Sequence, residues 1–332
     1  GDVYKRQILM EKNIRQLDDI IWQLDLKIDN ETEFIAPYLI KAQEDYIIVD
    51  VGPTCGIPEL VRQLKILGVD KSNLKYVFLT HIHLDHSGGL GTFMQSFPDT
   101  QIIVHRRGTP HLVDPDKVLW QSSLDTLGWV AEMYQRPVPV KEENIISIHD
   151  KTFNIQVNNL EFNWIETPGH ASHHFSFMLE NKNIMFCGDS VGMLVPSLDF
   201  AMVPTTPHPY RIESGIASIK LMLERSPEKL GFAHHAIRGE GVSLLNKHIA
   251  QLQLWESCVS SCLEKDIQDE EEIGVEIAKV DKESARLING PEEFGGLGLD
   301  LLFAAVVSEL SLIHISEPTR PERIADAVFC LK

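Results

Sequence analysis

The stretch FLTHIHLDHSGG, residues Phe78–Gly89, places three histidines and one aspartate within six positions directly after an apolar run. In an extended segment, side chains two residues apart point the same way, so the imidazoles of His81 and His83 can reach one cation. Asp85 and His86 follow the turn and face a neighbouring point. Imidazole and carboxylate together suit transition metals such as zinc. The stretch therefore predicts metal ligands at the end of a buried strand.

Three more clusters of ligand-type residues occur downstream, each directly after a predicted strand. They are TPGH at Thr167–His170, CGDS at Cys187–Ser190, and the pair His234 and His235 after a short apolar run. Open α/β sheets bind ligands at the edge where loops leave the strands. The clusters therefore predict one site assembled from the strand ends of two sheets.

The chemistry of these side chains divides them into ligands for two cations. Imidazole alone can hold one ion, and imidazole with carboxylate can hold a second. The predicted sets are His81, His83 and His170 for the first ion, and Asp85, His86 and His234 for the second. Asp189 can bridge the two through its separate oxygens. Paired ions of this kind lie about 3.5–4 Å apart and share a hydroxide.

In order and spacing, these motifs resemble those of the metallo-β-lactamase-fold superfamily over about residues 20–236. The resemblance implies an α/β fold, a four-layer αββα metallo-β-lactamase-fold sandwich with metals at one edge and a C-terminal helical appendage. It implies that DVGP at Asp50–Pro53 is an early strand-end motif, whose aspartate supports the first metal's shell by orienting a ligand imidazole. His234 fits the last ligand position better than His235, because the small residue Ala233 precedes it.

The aspartate at position 189 is similar to the glyoxalase II, lactonase and phosphodiesterase branches, whereas β-lactamases often carry a cysteine there. The resemblance thus implies a metal-dependent hydrolase in which hydroxide bound between two metals cleaves a small ester, thioester or lactone. Asp85 is the candidate catalytic residue that accepts and relays the released proton. The expected cofactors are two divalent metal ions, Zn²⁺ in preference to Fe or Mn.

Three other functions stay open. Relatives that act as mononuclear iron dioxygenases on a persulfide use two histidines and an aspartate for one iron, so metal identity separates them from hydrolases. An RNA or phosphodiester hydrolase is disfavoured, because the formal charge of −18 repels phosphate backbones and no basic patch offsets it. A non-catalytic binding module is disfavoured because every ligand position is filled.

Three residues near the motifs are candidates for the substrate pocket. They are His174, Tyr210 and His235. A solvent-facing position explains His174 equally well, and helix capping does so for Tyr210. A small-molecule substrate is the expected partner, and the helical tail is a candidate homodimer interface.

Composition limits the setting of the protein. The longest apolar run, LLFAAVV, has seven residues, far fewer than a membrane span requires. Five cysteines without a CxxC pair predict reduced thiols and a cytoplasmic location. We therefore expect neither nucleic acid nor membrane as a partner.

The chain divides into a predicted catalytic domain, 8–245, and a helical accessory region, 246–309. The segments at 2–7, DVYKRQ, and 310–320, LSLIHISEPTR, resemble translated sequencing-adapter DNA, as does 327–332, AVFCLK. We interpret 1–7 and 310–332 as non-native for that reason. Within the catalytic domain, the apolar spacing predicts helices at 87–97 and, as one long element, at 116–135.

Overall fold

Two β-sheets rich in Ile, Val and Phe form the centre of the fold. The computed structural model describes residues 12–28, 35–195, 201–206, 210–234 and 236–288. The first sheet contains, in spatial order, β1 (Ile14–Gln16), β2 (Ile21–Leu24), β3 (Tyr38–Ala42), β4 (Asp45–Val49), β5 (Leu74–Phe78), β6 (Gln101–His105) and β7 (Ile145–Ile148). The remaining strands are β8 (Thr152–Val157), β9 (Leu160–Glu166), β10 (Phe175–Leu179), β11 (Ile184–Gly188), β12 (Met193–Val195), β13 (Ala201–Val203), β14 (Lys229–Phe232) and β15 (Ile237–Gly239).

The second sheet has the order β15-β14-β11-β10-β9-β8, and β12 pairs with β13 as a separate hairpin. The helices are α1 (Ile57–Ile66), α2 (Leu84–Ser87), α3 (Leu90–Phe93), α4 (Thr109–Val113), α5 (Gln121–Leu127), α6 (Trp129–Tyr134), α7 (Ile212–Glu224), α8 (Gly241–Glu264), α9 (Glu270–Val280) and α10 (Lys282–Ile288).

Aromatic side chains pack the two sheets face to face. The ring of Phe78 lies 4.5 Å from that of Trp164 and 5.6 Å from that of Phe177, centroid to centroid. Two further apolar clusters join the outer sheet faces to helices, one through Leu60 of α1 and one through Trp255 of α8. Helices therefore cover both sheets, and the predicted αββα sandwich with C-terminal helices is confirmed.

Strand direction decides where the polar loops meet. β4, β5, β6 and β7 are parallel to one another, and β11 is parallel to β14. The carboxyl ends of parallel strands share one edge of a sheet, so the segments that follow β4, β5, β11 and β14 meet there. The Tyr38 hydroxyl joins the two sheets nearby, donating a hydrogen bond to the Phe232 carbonyl at 2.6 Å.

The structure breaks both of the long helices predicted from apolar spacing. The segment 116–135 forms a π-helical turn at Asp116–Trp120, then α5 and α6. Gly128 separates α5 from α6 with φ 54°, a value that right-handed helix excludes. The segment 87–97 is likewise divided, because α2 ends at Ser87 and α3 begins only at Leu90. Apolar periodicity predicts which face is buried but misses a break of one or two residues.

The C-terminal helices pack on the second sheet. α8 runs unbroken across the predicted domain boundary at 245/246 and contributes Leu245 and Trp255 to the same apolar cluster as Phe232 of β14. The division into two domains therefore stays a prediction, and a single helix spans it. Within the described ranges, no helix combines the length and apolar character that crossing a membrane requires.

Candidate metal centre

Four strand ends deliver the predicted ligands to one place. β5 leads to His81 and His83, and α2 then carries Asp85 and His86. His170 lies in the loop after β9, and Asp189 and His234 follow β11 and β14. The structure thus brings all seven predicted ligands together at the shared edge of the two sheets. Their assignment as metal ligands stays a prediction.

The first predicted set forms a compact group of nitrogens. His83 Nδ1 lies 3.0 Å from His81 Nε2 and 3.0 Å from His170 Nε2. Each set that could hold an ion has its ligand atoms within 4.8 Å of one another, and His81, His83 and His170 form one such set. Three imidazole nitrogens that converge in this way present lone pairs to a common point.

Hydrogen bonds on the far side of two of the rings fix which nitrogen carries the lone pair. The Thr80 hydroxyl donates to Asp50 Oδ2 at 2.8 Å, so it must accept from His81 Nδ1 at 3.1 Å. His170 Nδ1 donates to the Thr205 carbonyl at 3.0 Å. Both rings, when neutral, therefore aim an unprotonated Nε2 into the group, as a metal ligand requires.

The second predicted set surrounds Asp85. Its Oδ2 lies 3.3 Å from His86 Nε2 and 3.5 Å from His234 Nε2. His86 Nδ1 donates to Asp50 Oδ2 at 3.0 Å, so its Nε2 is the atom left for the site. Asp85, His86 and His234 form another set of ligand atoms within 4.8 Å of one another.

The carboxylate of Asp189 faces both sets. Its Oδ1 lies 3.6 Å from His86 Nε2, while its Oδ2 lies 3.6 Å from His170 Nε2 and 3.5 Å from His234 Nε2. The carboxylate is 5% exposed and is therefore enclosed by these imidazoles. This is the position predicted for a bridging group.

Charge is distributed unevenly between the two sets. Burial, together with the neighbouring imidazoles, lowers the pKa of His83 to about 3. Burial acts in the same direction on His86, but the carboxylates of Asp85 and Asp189 outweigh it and raise the pKa of His86 well above its usual value. The same carboxylates raise the pKa of His234 against its burial. Positive charge is therefore stabilised within the second set, and a proton or a divalent cation can supply it.

Two buried atoms test whether a cation fits. His86 Nε2 and Asp189 Oδ1 have no hydrogen-bond partner within the described residues. Buried polar atoms without partners are rare in native proteins and call for an explanation such as an ion. Since the donors are imidazole nitrogens and carboxylate oxygens, the set suits a divalent transition metal. The residues present therefore fit such a metal.

The sequence itself decides the family. The profile of the metallo-beta-lactamase superfamily matches residues 32–234, which covers every predicted ligand. The chain belongs to the metallo-beta-lactamase superfamily. Divalent metals are typical of this superfamily, and both the metal-binding and the metallo-hydrolase class predicted for the chain are confirmed at this level.

Individual relatives agree with that placement. A metallo-beta-lactamase fold-containing protein of Sulfurisphaera tokodaii is 25% identical over 223 residues, 66% of this chain and 79% of that protein. The N-acyl homoserine lactonase AttM of Agrobacterium fabrum is 31% identical over 123 residues, 37% of this chain and 42% of that protein. A metallo-beta-lactamase family structure from Thermus thermophilus superposes with a TM-score of 0.63 at 19% identity, covering 90% of this chain and 95% of that one.

Asp50 contacts the second ligand set directly, whereas the resemblance implied that it supports the first. It was expected to support the first metal's shell, but its direct imidazole contact is His86 of the second set. It reaches His81 of the first set only through the Thr80 hydroxyl. Asp50 therefore hydrogen-bonds an imidazole of the second set directly and is connected to one of the first set through Thr80.

Two of the predicted pocket residues, His174 and Tyr210, are buried. His174 is fully buried, with Nδ1 bonded to the Thr167 hydroxyl at 2.8 Å and Nε2 accepting from the Asp189 amide at 3.2 Å. It therefore positions the Asp189 loop and does not line a pocket. Tyr210 is 3% exposed, and its hydroxyl lies against Gly215 of α7, 2.4 Å from where a Cβ would stand. His235 lies outside the described residues.

Sequence reasoning missed three residues at the site. Thr80 directly precedes His81, and that adjacency was an available signal. The Thr205 hydroxyl donates a hydrogen bond to the Asp189 carbonyl at 2.7 Å, and the Thr205 backbone carbonyl accepts one from His170. Thr205 is distant from both residues in sequence. Tyr134 of α6 belongs to a different segment again. Burial raises its pKa, and the charges of Asp85 and Asp189 act in the same direction. No local pattern indicates the last two.

Proposed function

We propose that this chain is a metal-dependent hydrolase that cleaves a small ester, thioester or lactone. The observation that carries the proposal is the placement of Asp189, whose carboxylate lies between the two sets, with Oδ2 near His170 of the first set and both oxygens near imidazoles of the second. A carboxylate so placed suits a pair of ions and the hydrolysis that paired ions support. Two bound divalent ions would bring the pKa of a water towards 7 and polarise a carbonyl.

The chain's own residues divide the remaining work. His81, His83 and His170 would hold one ion and Asp85, His86 and His234 the other, with Asp189 between them. Asp85 is the more accessible of the two carboxylates, with 21% side-chain exposure against 6% for Asp189. It is therefore the carboxylate that can receive a proton from the reacting water and pass it to solvent.

The names of relatives support an acyl substrate. Besides the lactonase AttM, an atrochrysone carboxyl ACP thioesterase of Aspergillus fumigatus is 26% identical over 155 residues, 46% of this chain and 28% of that protein. The matched regions span less than half of both relatives. The two names describe cleavage of an acyl–oxygen and an acyl–sulfur bond, which is the range proposed here. A net charge of −18 favours a small molecule over nucleic acid as the substrate.

Metal content per chain, measured by elemental analysis on the full 332-residue protein, is the primary test. We expect close to two zinc-like ions, together with turnover in a panel of ester, thioester and lactone substrates. His83→Ala should reduce the content to about one ion, and Asp189→Ala should lower both occupancy and activity. His149→Ala, at an exposed position, is the matched control and should change neither.

Two results would overturn the proposal. A single iron per chain would indicate the dioxygenase alternative, because that chemistry needs one redox-active ion. Full activity of Asp189→Ala with two ions bound would exclude its bridging role.

A further inference from the structure

An imidazole outside the predicted ligands lies against the first ligand set. The ring of His173 is 5.7 Å from that of His83 at an interplanar angle of 89°, and 6.4 Å from that of His81 at 12°, centroid to centroid. Among the described residues, His173 belongs to none of the sets whose ligand atoms could hold an ion. It is therefore available for another contact beside the first set.

His111 of α4 extends this row of imidazoles. Its ring centroid lies 5.8 Å from that of His173. The Nδ1 atoms of His111 and His173 are buried, and neither has a hydrogen-bond partner within the described part of the chain. Both side chains are otherwise partly exposed. Buried polar atoms without partners call for a bound group, so the two imidazoles suit an oxygen atom of a ligand that reaches them.

A positive charge lies next to the two imidazoles. Arg107 Nη1 donates a hydrogen bond at 3.2 Å to the carbonyl of Ser172, the residue before His173. The Arg107 side chain is exposed, and it forms no ion pair with a carboxylate in the described ranges. The chain carries a formal charge of −18, so the guanidinium gives this point a charge opposite to that of the whole protein. A negatively charged ligand is therefore favoured here.

Hydrogen bonds between the two sheets hold Arg107 in place. Its amide donates to His105 Nδ1 at 3.0 Å, so His105 Nε2 carries the proton and donates to Glu166 Oε1 at 2.7 Å. His105 ends β6 in the first sheet, and Glu166 ends β9 in the second. Because His105 engages the Glu166 carboxylate, the Arg107 guanidinium is left to a carboxylate from outside the chain.

The turn at Gly108 packs directly on the metal-ligand motif. A Cβ at Gly108 would lie 2.7 Å from Cγ2 of Ile82, which stands between the first two histidines of that motif. Glycine allows this close approach because it has no side chain. The His111 amide donates to the Gly108 carbonyl at 3.1 Å. The turn therefore brings the start of α4 against the first ligand set.

We propose that Arg107, His111 and His173 form a polar corner that binds a carboxylate of the substrate. On this assignment the substrate is an ester, thioester or lactone that carries a carboxylate a few bonds from the scissile acyl group, since the corner lies directly beside the first set. The planar guanidinium matches a carboxylate, and each imidazole can donate one hydrogen bond to an oxygen. The assignment rests on the proposed function and names its substrate class.

Glutarate and pentanoate test the polar corner by binding. Each can place one carboxylate at the metal ions, but only glutarate has a second carboxylate for the corner. In calorimetry on the metal-loaded full chain, we expect wild type to bind glutarate about tenfold more tightly than pentanoate, because the second contact is a charge-assisted hydrogen bond. Arg107→Gln should abolish most of this difference with metal content unchanged.

Monomethyl glutarate and methyl hexanoate test the polar corner by turnover. The two esters have similar lengths and differ in the carboxylate. We expect wild type to prefer monomethyl glutarate in kcat/KM. Arg107→Gln should lower this preference about tenfold, mainly through KM, because the carboxylate takes no part in the bond cleavage. His111→Leu should lower it in the same direction with metal content unchanged, since the His111 ring contacts His173 rather than a predicted ligand.

Arg225→Gln is the matched control. Arg225 is exposed and lies between α7 and the amino end of β14, whereas the site lies beyond the carboxyl end of that strand. The variant removes the same charge far from the polar corner, so it should leave the preference and both affinities at wild-type values. An equal loss in Arg225→Gln would show that net charge governs selectivity, and it would overturn the assignment.

The outcomes separate this assignment from the proposed function. A wild type that hydrolyses esters but shows no preference for the added carboxylate in either assay would overturn the polar corner and leave the hydrolase intact. A preference that survives in both Arg107→Gln and His111→Leu would do the same. A wild type that hydrolyses no ester, thioester or lactone would remove the proposed function, and selective glutarate binding that Arg107→Gln abolishes would still support the corner. A wild type that shows neither hydrolysis nor selective glutarate binding would overturn both.

Discussion

Asp50 Oδ2 accepts a hydrogen bond from His86 Nδ1 at 3.0 Å while it also accepts one from the Thr80 hydroxyl at 2.8 Å. The Asp50 Oδ1 atom accepts from the Thr80 amide at 2.9 Å. Asp50 itself has φ 55°, in the left-handed region that aspartate tolerates better than most residues. One carboxylate therefore orients imidazoles of both ligand sets.

Asp50→Asn should weaken metal binding, because an amide offers a single acceptor oxygen where the carboxylate accepts three hydrogen bonds. Loss of such support for a ligand imidazole typically costs about 10- to 100-fold in metal affinity. We expect the second ion to be affected most, since His86 contacts Asp50 directly. Competition with a chromophoric chelator measures both affinities. Asp45→Asn, at the other end of β4, is the control, and equal affinities in the two variants would contradict the expectation.

Thr205→Val should loosen the Asp189 loop without removing the carbonyl that accepts from His170. The lost hydroxyl bond to the Asp189 carbonyl is worth about 1 kcal/mol, so we expect unfolding free energy and metal affinity to fall modestly. Thr206→Val provides a matched control. The Thr206 hydroxyl is buried without a hydrogen-bond partner among the described residues, so its removal should be neutral or stabilising. Urea unfolding of the two variants checks the difference, and equal stability would refute the argument.

Asp281→Ala should destabilise the attachment of the C-terminal helices. Asp281 is 6% exposed, and its Oδ2 accepts from Gln251 Nε2 and Trp255 Nε1, each at 2.8 Å, and from the Ser284 hydroxyl at 2.5 Å. Removal leaves buried donors unpaired, and we expect a loss of about 2–4 kcal/mol in urea unfolding. Glu264→Ala, at an exposed position of α8, should change stability by less than about 0.5 kcal/mol. A similarly small loss in Asp281→Ala would show that the network is not stabilising.

The buried histidine of α8 should make stability depend on pH. Burial lowers the pKa of His248 from 6.5 to about 4, against the influence of Gln251 and Asp281. Because the folded pKa lies below the unfolded one, the unfolded chain binds the proton first as pH falls. The stability contributed by neutral His248 is therefore complete above pH 6.5 and is lost progressively towards pH 4. A shift of this size corresponds to about 3 kcal/mol.

His248→Gln removes that titration and keeps a polar side chain. The unfolding free energy of wild type should therefore fall more steeply than that of the variant between pH 6.5 and 4. Parallel curves in urea unfolding at several pH values would show that His248 does not titrate differently in the two states.

Much of the fold and of the candidate ligand set could be predicted from local sequence. The motif from His81 to His86 spans six consecutive residues, so residue type and alternation alone indicate its chemistry. The strands β7, β9 and β10 are similarly evident from short apolar runs. The helix break at Gly128 was not evident from the sequence, because the apolar spacing continues across it. In the structure, φ is positive at Gly128.

By itself, the sequence predicted the types of ligand and their order, since these depend on residue chemistry and short-range pattern, and its resemblance to a known family predicted the sandwich that holds them. Only the tertiary structure decided that Asp50 bonds to His86, that Thr205 fixes His170 and Asp189, and that His174 is buried away from the pocket. These relationships join segments far apart in the chain, and hydrogen bonding and burial between such segments arise only when the two sheets pack together.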